Sequence, residues 1–152
     1  MWISAAVIVA TLVIDGFLIV RHSGSSDERE VSESALSAAK SLLPKVLSYD
    51  YSALDDFESR AKAGTTGEFR DDYLALIDGR IRPTATADKI VTRATVPEIG
   101  IVSAQADEVV VLAFVNQVTT RDGKNSRIDG SRVRLTLTRV KGSWKIQTLT
   151  PV

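Results

Sequence analysis

Val109-Val110-Val111-Leu112-Ala113-Phe114-Val115 runs directly into Asn116-Gln117-Val118-Thr119-Thr120. The run is short, β-branched and free of Gly and Pro, so it reads as a strand, with its apolar part buried on both faces. Asn116 and Gln117 interrupt it, as residues that satisfy an edge or a bulge. Arg121-Asp122-Gly123-Lys124-Asn125-Ser126 follows, a hairpin loop with an Asp-Gly signal. Val133, Leu135 and Leu137 then alternate with Arg132, Arg134, Thr136 and Thr138, the pattern of a half-buried strand. Val140-Lys141-Gly142-Ser143 turns, Trp144, Ile146 and Thr148 share one face of a last strand, and Pro151 ends it. Upstream, the segment from Lys89 to Val96 is also β-branched. Pro97 interrupts it and Ile99 to Ala104 resumes, which marks an edge or a bulge.

Before Lys89 the apolar spacing is helical. Val31, Ala35, Leu36, Ala39, Leu42, Leu43, Val46 and Leu47 recur at steps of three and four, one face of an amphipathic helix. Ser25 with Glu28 fits a capping box at its start, and Pro44 predicts a kink or a restart. Leu54, Phe57 and Ala61 form the apolar side of a second helix, stopped by Gly64. Thr65 with Glu68 predicts another capping box. Phe69, Tyr73, Leu76 and Ile77 form a third stripe ended by Gly79, with a connection beginning at Ile81-Arg82-Pro83.

Helices first and an antiparallel meander after them indicate an α+β fold. Strands of ten to twelve residues extend roughly 33–40 Å, and a sheet that long twists and curls over its helices. The expected shape is a curved four-stranded antiparallel sheet closed over amphipathic helices, a cone-shaped half-barrel.

At the chain start, Trp2 to Val20 contains fifteen apolar residues out of nineteen and one charge, Asp15. As a helix it spans roughly 28 Å at about 1.5 Å per residue, close to the hydrocarbon thickness of a bilayer. A cleaved signal peptide is the rival reading, but the run exceeds a normal apolar core and lacks a preceding basic stretch. The expected organisation is a transmembrane anchor over 1–21, a juxtamembrane amphipathic helix over 22–48 and a cone domain over 49–152. Arg21 and Arg29 follow the run and no Lys or Arg precedes it. Taken literally, that places the C-terminal domain in the cytoplasm, but the rule weakens for long translocated domains, so charge alone leaves the orientation open. Asp15 inside the run reads either as a contact with another subunit or as a polar residue within reach of headgroups.

Composition narrows the chemistry. The 152 residues hold 19 Lys+Arg, 19 Asp+Glu, one His and no Cys. Balanced charge argues against a nucleic-acid partner. Without Cys there is no thiol nucleophile or thiolate-held metal, and a lone His22 beside the anchor excludes the usual multi-His sites. Cone-shaped domains host both enzymes and binding modules. Isomerase-type chemistry on a small lipid or steroid needs an acid–base set facing the cavity. The acids of the sheet, Glu98, Asp107, Glu108, Asp122 and Asp129, fall at the bulge, turns or strand ends. Asp72 with Tyr73, and Asp50 with Tyr49 or Tyr51, remain, and adjacent helix positions point about 100° apart. No catalytic, cofactor or metal residue is therefore assigned. Tyr73, Phe114, Asn116 and Trp144 are the candidate lining of an apolar pocket, or else part of the core. Arg132 and Arg134, with Lys145 alongside, are candidate contacts to a partner or a lipid headgroup, as is Asp15.

Three stretches carry a resemblance: LSYDYSALDDFESRAKAGTTGEFRDDY, VVVLAFVNQVTTRDGK and SRVRLTLTRVKGSWKIQTLTPV. Their most specific pieces are Tyr49-Asp50-Tyr51, Phe114-Val115-Asn116-Gln117 and the ending Gly142…Trp144…Leu149…Pro151-Val152. Together with the anchor and the amphipathic helix they resemble the Mce-associated membrane proteins of actinobacteria over essentially the whole chain. The resemblance implies a nuclear transport factor 2-like cone domain on the outer side of the plasma membrane, held by a single-pass anchor. It also implies a non-catalytic accessory role beside the Mce lipid-import machinery, with Mce transporter subunits or other Mce-associated proteins, or a homo-oligomer, as partners. An assembly factor like the cone proteins of type IV secretion is a further alternative with the same layout.

Overall fold

The computed structural model describes residues 27–152. The anchor, Asp15, His22 and the Ser25 end of the first capping box lie outside the described residues. Among the described residues no helix is long and apolar enough to cross a membrane.

The first described element, α1 (residues 27–47), runs on through Pro44. Pro44 has no N–H to offer the carbonyl of Lys40, a residue on the exposed side of the helix, so the loss falls outside the core. A two-residue strand, β1 (Tyr49–Asp50), leads to α2 (Leu54–Gly64). Asp55 and Asp56 occupy the first turn of α2, where the helix dipole favours acids. Gly64 ends it, and its lack of a side chain is a packing requirement. A Cβ there would sit 3.1 Å from Val46 Cγ2 and 3.3 Å from Leu42 Cδ2 on α1.

The next helix, α3 (Gly67–Leu76), starts without the expected capping box. Its N-cap is Thr66 and carries no side-chain bond, while the Thr65 hydroxyl donates backward to the Ala61 carbonyl at 2.7 Å. Nor does it stop at Gly79. The chain widens into a π-helical turn (Ile77–Ile81) in which the Arg82 N–H reaches the Ile77 carbonyl five residues back. It then tightens into α4 (Arg82–Asp88), with Pro83 in the first turn where no donor is needed. Lys89, in the left-handed region at φ 49°, ends α4 and turns the chain into the sheet.

The sheet has six strands rather than four: β1, β2 (Ile90–Thr95), β3 (Ile99–Ala104), β4 (Glu108–Arg121), β5 (Asn125–Val140) and β6 (Ser143–Pro151). All pairings are antiparallel, in the order β1-β2-β4-β5-β6, and β3 lies on the same edge of β4 as β2. The interruption at Pro97 is thus a bulge in one edge. Thr95 opposes Asn116 and Ile99 opposes Ala113, so three intervening residues face two, and the Phe114 N–H still donates to the Glu98 carbonyl across the break. Further bulges fall at Val102 in β3 and Gln147 in β6. Each adds local twist, and together they curl the sheet. The bulge at Gln147 also changes which residues face inward after Ile146. Leu149, not Thr148, continues the inner face.

Both hairpin turns follow their glycine signals. Asp122 and Gly123 have φ of 49° and 67°, and Lys141 and Gly142 have 50° and 81°, the paired positive angles whose twist matches flanking strands. The core lies inside the curl. Ala35, Ala39, Leu43 and Val46 of α1 pack against Val109, Val111, Ala113, Val115, Val133, Leu135, Leu137, Trp144 and Ile146 of the sheet. A second cluster of Leu54, Phe57, Ala61, Ile77, Ala85 and Ile90 lies under α2 to α4.

Candidate functional site

Among the described residues the helices cover one side of the sheet, so the two faces of β4 differ. Val109, Val111, Ala113 and Val115 point inward and are buried. Residues of the other parity face out from the convex side, so the expectation that this strand is buried on both faces does not hold. Phe114 is 47% exposed and Val118 is 38% exposed. Across the β4–β5 pairing Phe114 opposes Arg132, Leu112 opposes Arg134 and Val118 opposes Ile128, which is 74% exposed. On the β2 side Arg93 opposes Val118. The convex face therefore carries an apolar strip bordered by guanidinium groups. Among the described residues Arg132 and Arg134 have no carboxylate within 4.0 Å, whereas Arg93 pairs with Asp50 at 3.3 Å. Lys145 leaves this stripe, because its Nζ donates to the Ala63 carbonyl at the C-terminal end of α2.

The four pocket candidates do not meet. Phe114 and Asn116 are on the convex face, and Tyr73 and Trp144 are on the inner side. Trp144 is core: its Nε1 donates to Ser34 Oγ on α1 at 3.1 Å, and the Arg139 guanidinium stacks 4.8 Å from its ring centroid. Tyr73 stacks on Phe69 and donates its hydroxyl to the Val46 carbonyl at 2.7 Å. Burial, helped by neighbouring Tyr49, pushes that hydroxyl well above the ordinary phenol range, so it stays a neutral donor. It is one of several groups on the open carbonyl end of α1. Gln117 Nε2 reaches the Leu47 carbonyl at 3.4 Å, Arg60 reaches that of Ser48 at 3.3 Å, and Ser48 Oγ accepts the Ala94 N–H at 2.9 Å. The helix end is thus tied to α2, α3, β2 and β4.

The Asp50 carboxyl is equally committed. Asp50 Oδ1 accepts from Ser52 Oγ at 2.7 Å and from Ser52 N at 3.0 Å, with Arg93 beside Oδ2. The Ser52 bonds first, and then Arg93, hold the Asp50 carboxyl below the usual carboxylate range. Asp72 is exposed. A hub not foreseen from spacing joins the helices at Arg82, whose guanidinium meets Asp55 at 2.8 Å, Glu58 at 2.6 Å and Asp78 at 3.3 Å. Only the four-residue step from Asp78 to Arg82 is visible in the sequence. The other two partners depend on how α2 and α4 cross.

The family described as "Uncharacterized protein Rv1363c/MT1408-like" matches residues 1–151. The chain belongs to that family. It is 32% identical over 122 residues to the uncharacterized protein Rv1362c of Mycobacterium tuberculosis, covering 80% of this chain and 56% of that one. It is 38% identical over 97 residues to a protein of the same organism described as outer membrane protein Rv1973, covering 64% of this chain and 60% of that one. The chain thus spans under two thirds of these relatives. In fold it is similar to CagV, a VirB8 homolog of the type IV secretion system of Helicobacter pylori. The TM-score is 0.62 at 14% identity, over 76% of this chain and 94% of CagV. It is also similar to the periplasmic domain of DotI, with a TM-score of 0.65 at 15% identity over 77% and 91% of the two chains.

Proposed function

We propose that this chain is a non-catalytic, membrane-tethered assembly subunit of a cell-envelope complex, and that it docks neighbouring subunits on the convex face of its sheet. The observation that carries this reading is the exposed strip of Phe114, Val118 and Ile128 beside Arg132 and Arg134, on a sheet whose inner face is filled by α1. An apolar strip rimmed by cationic groups without carboxylate partners suits a protein surface that supplies apolar side chains and acids. The shared fold with CagV and the DotI periplasmic domain supports a structural role in a membrane complex. The commitments of Tyr73 and Asp50 to backbone and turn geometry support a non-catalytic one.

In this reading residues 1–21 anchor the chain in the plasma membrane as a single pass, the helix expected over 22–48 enters the cone and packs in its core as α1, and the cone that 49–152 closes over it is extracytoplasmic. The finer identity of the complex, an Mce-type lipid importer with this chain as accessory subunit, rests on the resemblance of the three quoted stretches to Mce-associated proteins. The test is photocrosslinking in cells from an unnatural amino acid at position 114, followed by mass spectrometry. Adducts with Mce-type transporter subunits are the expected result. Turnover of a small lipid or steroid by the purified chain, with no protein adduct from position 114, would overthrow the proposal.

A further inference from the structure

We infer that the first half of β5 is a self-pairing edge at which a second copy of this chain adds an antiparallel strand, with the two-fold axis passing through Ile128. The inference does not depend on the envelope partner proposed above. β5 is sixteen residues long, but β6 covers it only from Val133 onward. Its first eight residues, Asn125 to Arg132, pair with β4 on one side and with no strand on the other among the described residues. The Arg132 carbonyl accepts the Val152 N–H, which shows that even-numbered residues of β5 direct their peptide groups away from β4. The β4–β5 ladder has no register shift from Glu108 to Arg121, so Ser126, Ile128 and Gly130 present unpaired peptide donors and acceptors along the same edge.

The β6 and β3 edges are each interrupted. The β6 edge is bridged by Thr65 opposite Ile146 and by the Thr66 N–H on the Ile146 carbonyl. The β3 edge is bent by its bulge at Val102 and begins just after Pro97. Bulges, prolines and covering segments are the usual means of stopping edge-to-edge pairing. Among the described residues the first half of β5 has none of these three; its guards are the charged side chains of Arg127 and Asp129, which repel a misaligned strand and match a second copy of the same one.

Charge selects both the occupant and the register. Arg127 and Asp129 flank Ile128 and lie 2.7 Å apart within the strand. About a two-fold axis at Ile128, Arg127 opposes Asp129 of the second copy, and the reverse pair repeats the contact. Both fall at non-hydrogen-bonded positions, where opposed side chains are closest. An axis at Arg127 or at Asp129 would set like charges face to face. An axis at Gly130 would push Arg127 against Val133, whose edge β6 already holds. The Ile128 axis also exchanges peptide bonds between the two Ile128 residues and between each Ser126 and the opposite Gly130. It joins the Val118–Ile128 strips of two copies into one apolar surface on the convex side.

The chain has no cysteine, so single thiols report the register directly. In the full-length chain in detergent, Ile128→Cys is expected to form a disulfide dimer on mild oxidation. Opposed residues of a hydrogen-bonded pair lie about 5.5 Å apart, within disulfide range. Ser126→Cys alone is expected not to link, its two copies lying roughly 14 Å apart, but to link when mixed with Gly130→Cys. By sedimentation, Arg127→Asp is expected to weaken the dimer about tenfold, because two attractive pairs become repulsive. The swap Arg127→Asp with Asp129→Arg is expected to restore it. A chain that stays monomeric, a Ser126→Cys that links as readily as Ile128→Cys, or a dimer indifferent to Arg127→Asp overturns the inference. The first result also follows if the edge receives an extended segment of a different protein.

Discussion

The two faces of the curled sheet are built from the same strands and are covered differently. On the concave side Val109, Val111, Ala113 and Val115 of β4 share one core with α1, and side chains from α2, α3 and β4, with a backbone N–H of β2, hold the end of that helix. On the convex side the same strand exposes Phe114 and Val118, and nothing among the described residues covers them. The difference teaches that α1 fills the interior of the curl while, among the described residues, the outer surface stays open. The difference is also quantitative, since filled and open faces respond to substitution on different scales.

The sharpest way to break the comparison is to empty the concave side. Leu43 is fully buried between α1 and the sheet, and Leu43→Ala is expected to cost about 2–5 kcal/mol in urea unfolding. Phe114→Ala, at an exposed position of the same sheet, is expected to change stability by no more than about 0.5 kcal/mol. Equal losses at the two positions would mean that the convex strip is packed against something. Overfilling the concave side comes next. Gly64→Val places carbon where Val46 and Leu42 already stand, and a loss of about 1–3 kcal/mol is expected by thermal unfolding. Tyr73→Phe removes the bond to the Val46 carbonyl while keeping the ring, for about 1 kcal/mol. A neutral change there would mean that water takes over the carbonyl.

The smallest effect is in acid. The carboxyl of Asp50 lies below its ordinary value in the folded chain, so it contributes stability above about pH 4, the unfolded value. That contribution is lost as pH falls through the folded value. The stability difference between the wild-type chain and Asp50→Ala, followed by urea unfolding across pH, is therefore expected to be flat from pH 7 to about 4 and to shrink below that.

Much of this arrangement can be read in the sequence, and the misses have local causes. The apolar run at 109–115, the Asp-Gly turn and the stop at Gly64 are encoded by neighbours in the chain, so spacing alone reveals them. The helix running on past Gly79 is not, because a π-helical turn absorbs Gly79 and the first turn of α4 takes Pro83, two residues that normally mark an end. The capping box at Thr65 fails because its hydroxyl is used by Ala61 instead. The sheet is two strands larger than expected because β1 is only two residues long and because the break at Pro97 divides one edge into β2 and β3. Phe114 and Trp144 look alike in a strand pattern. Only the placement of α1 decides that one is outside and the other is core.

The most direct test of an acting outer face is the co-isolation of envelope subunits with a full-length chain carrying Phe114→Asp, normalised to the amount of folded protein. Loss of the associated subunits with an unchanged unfolding midpoint is the predicted result. Full recovery of those subunits would contradict the assignment of docking to the convex face.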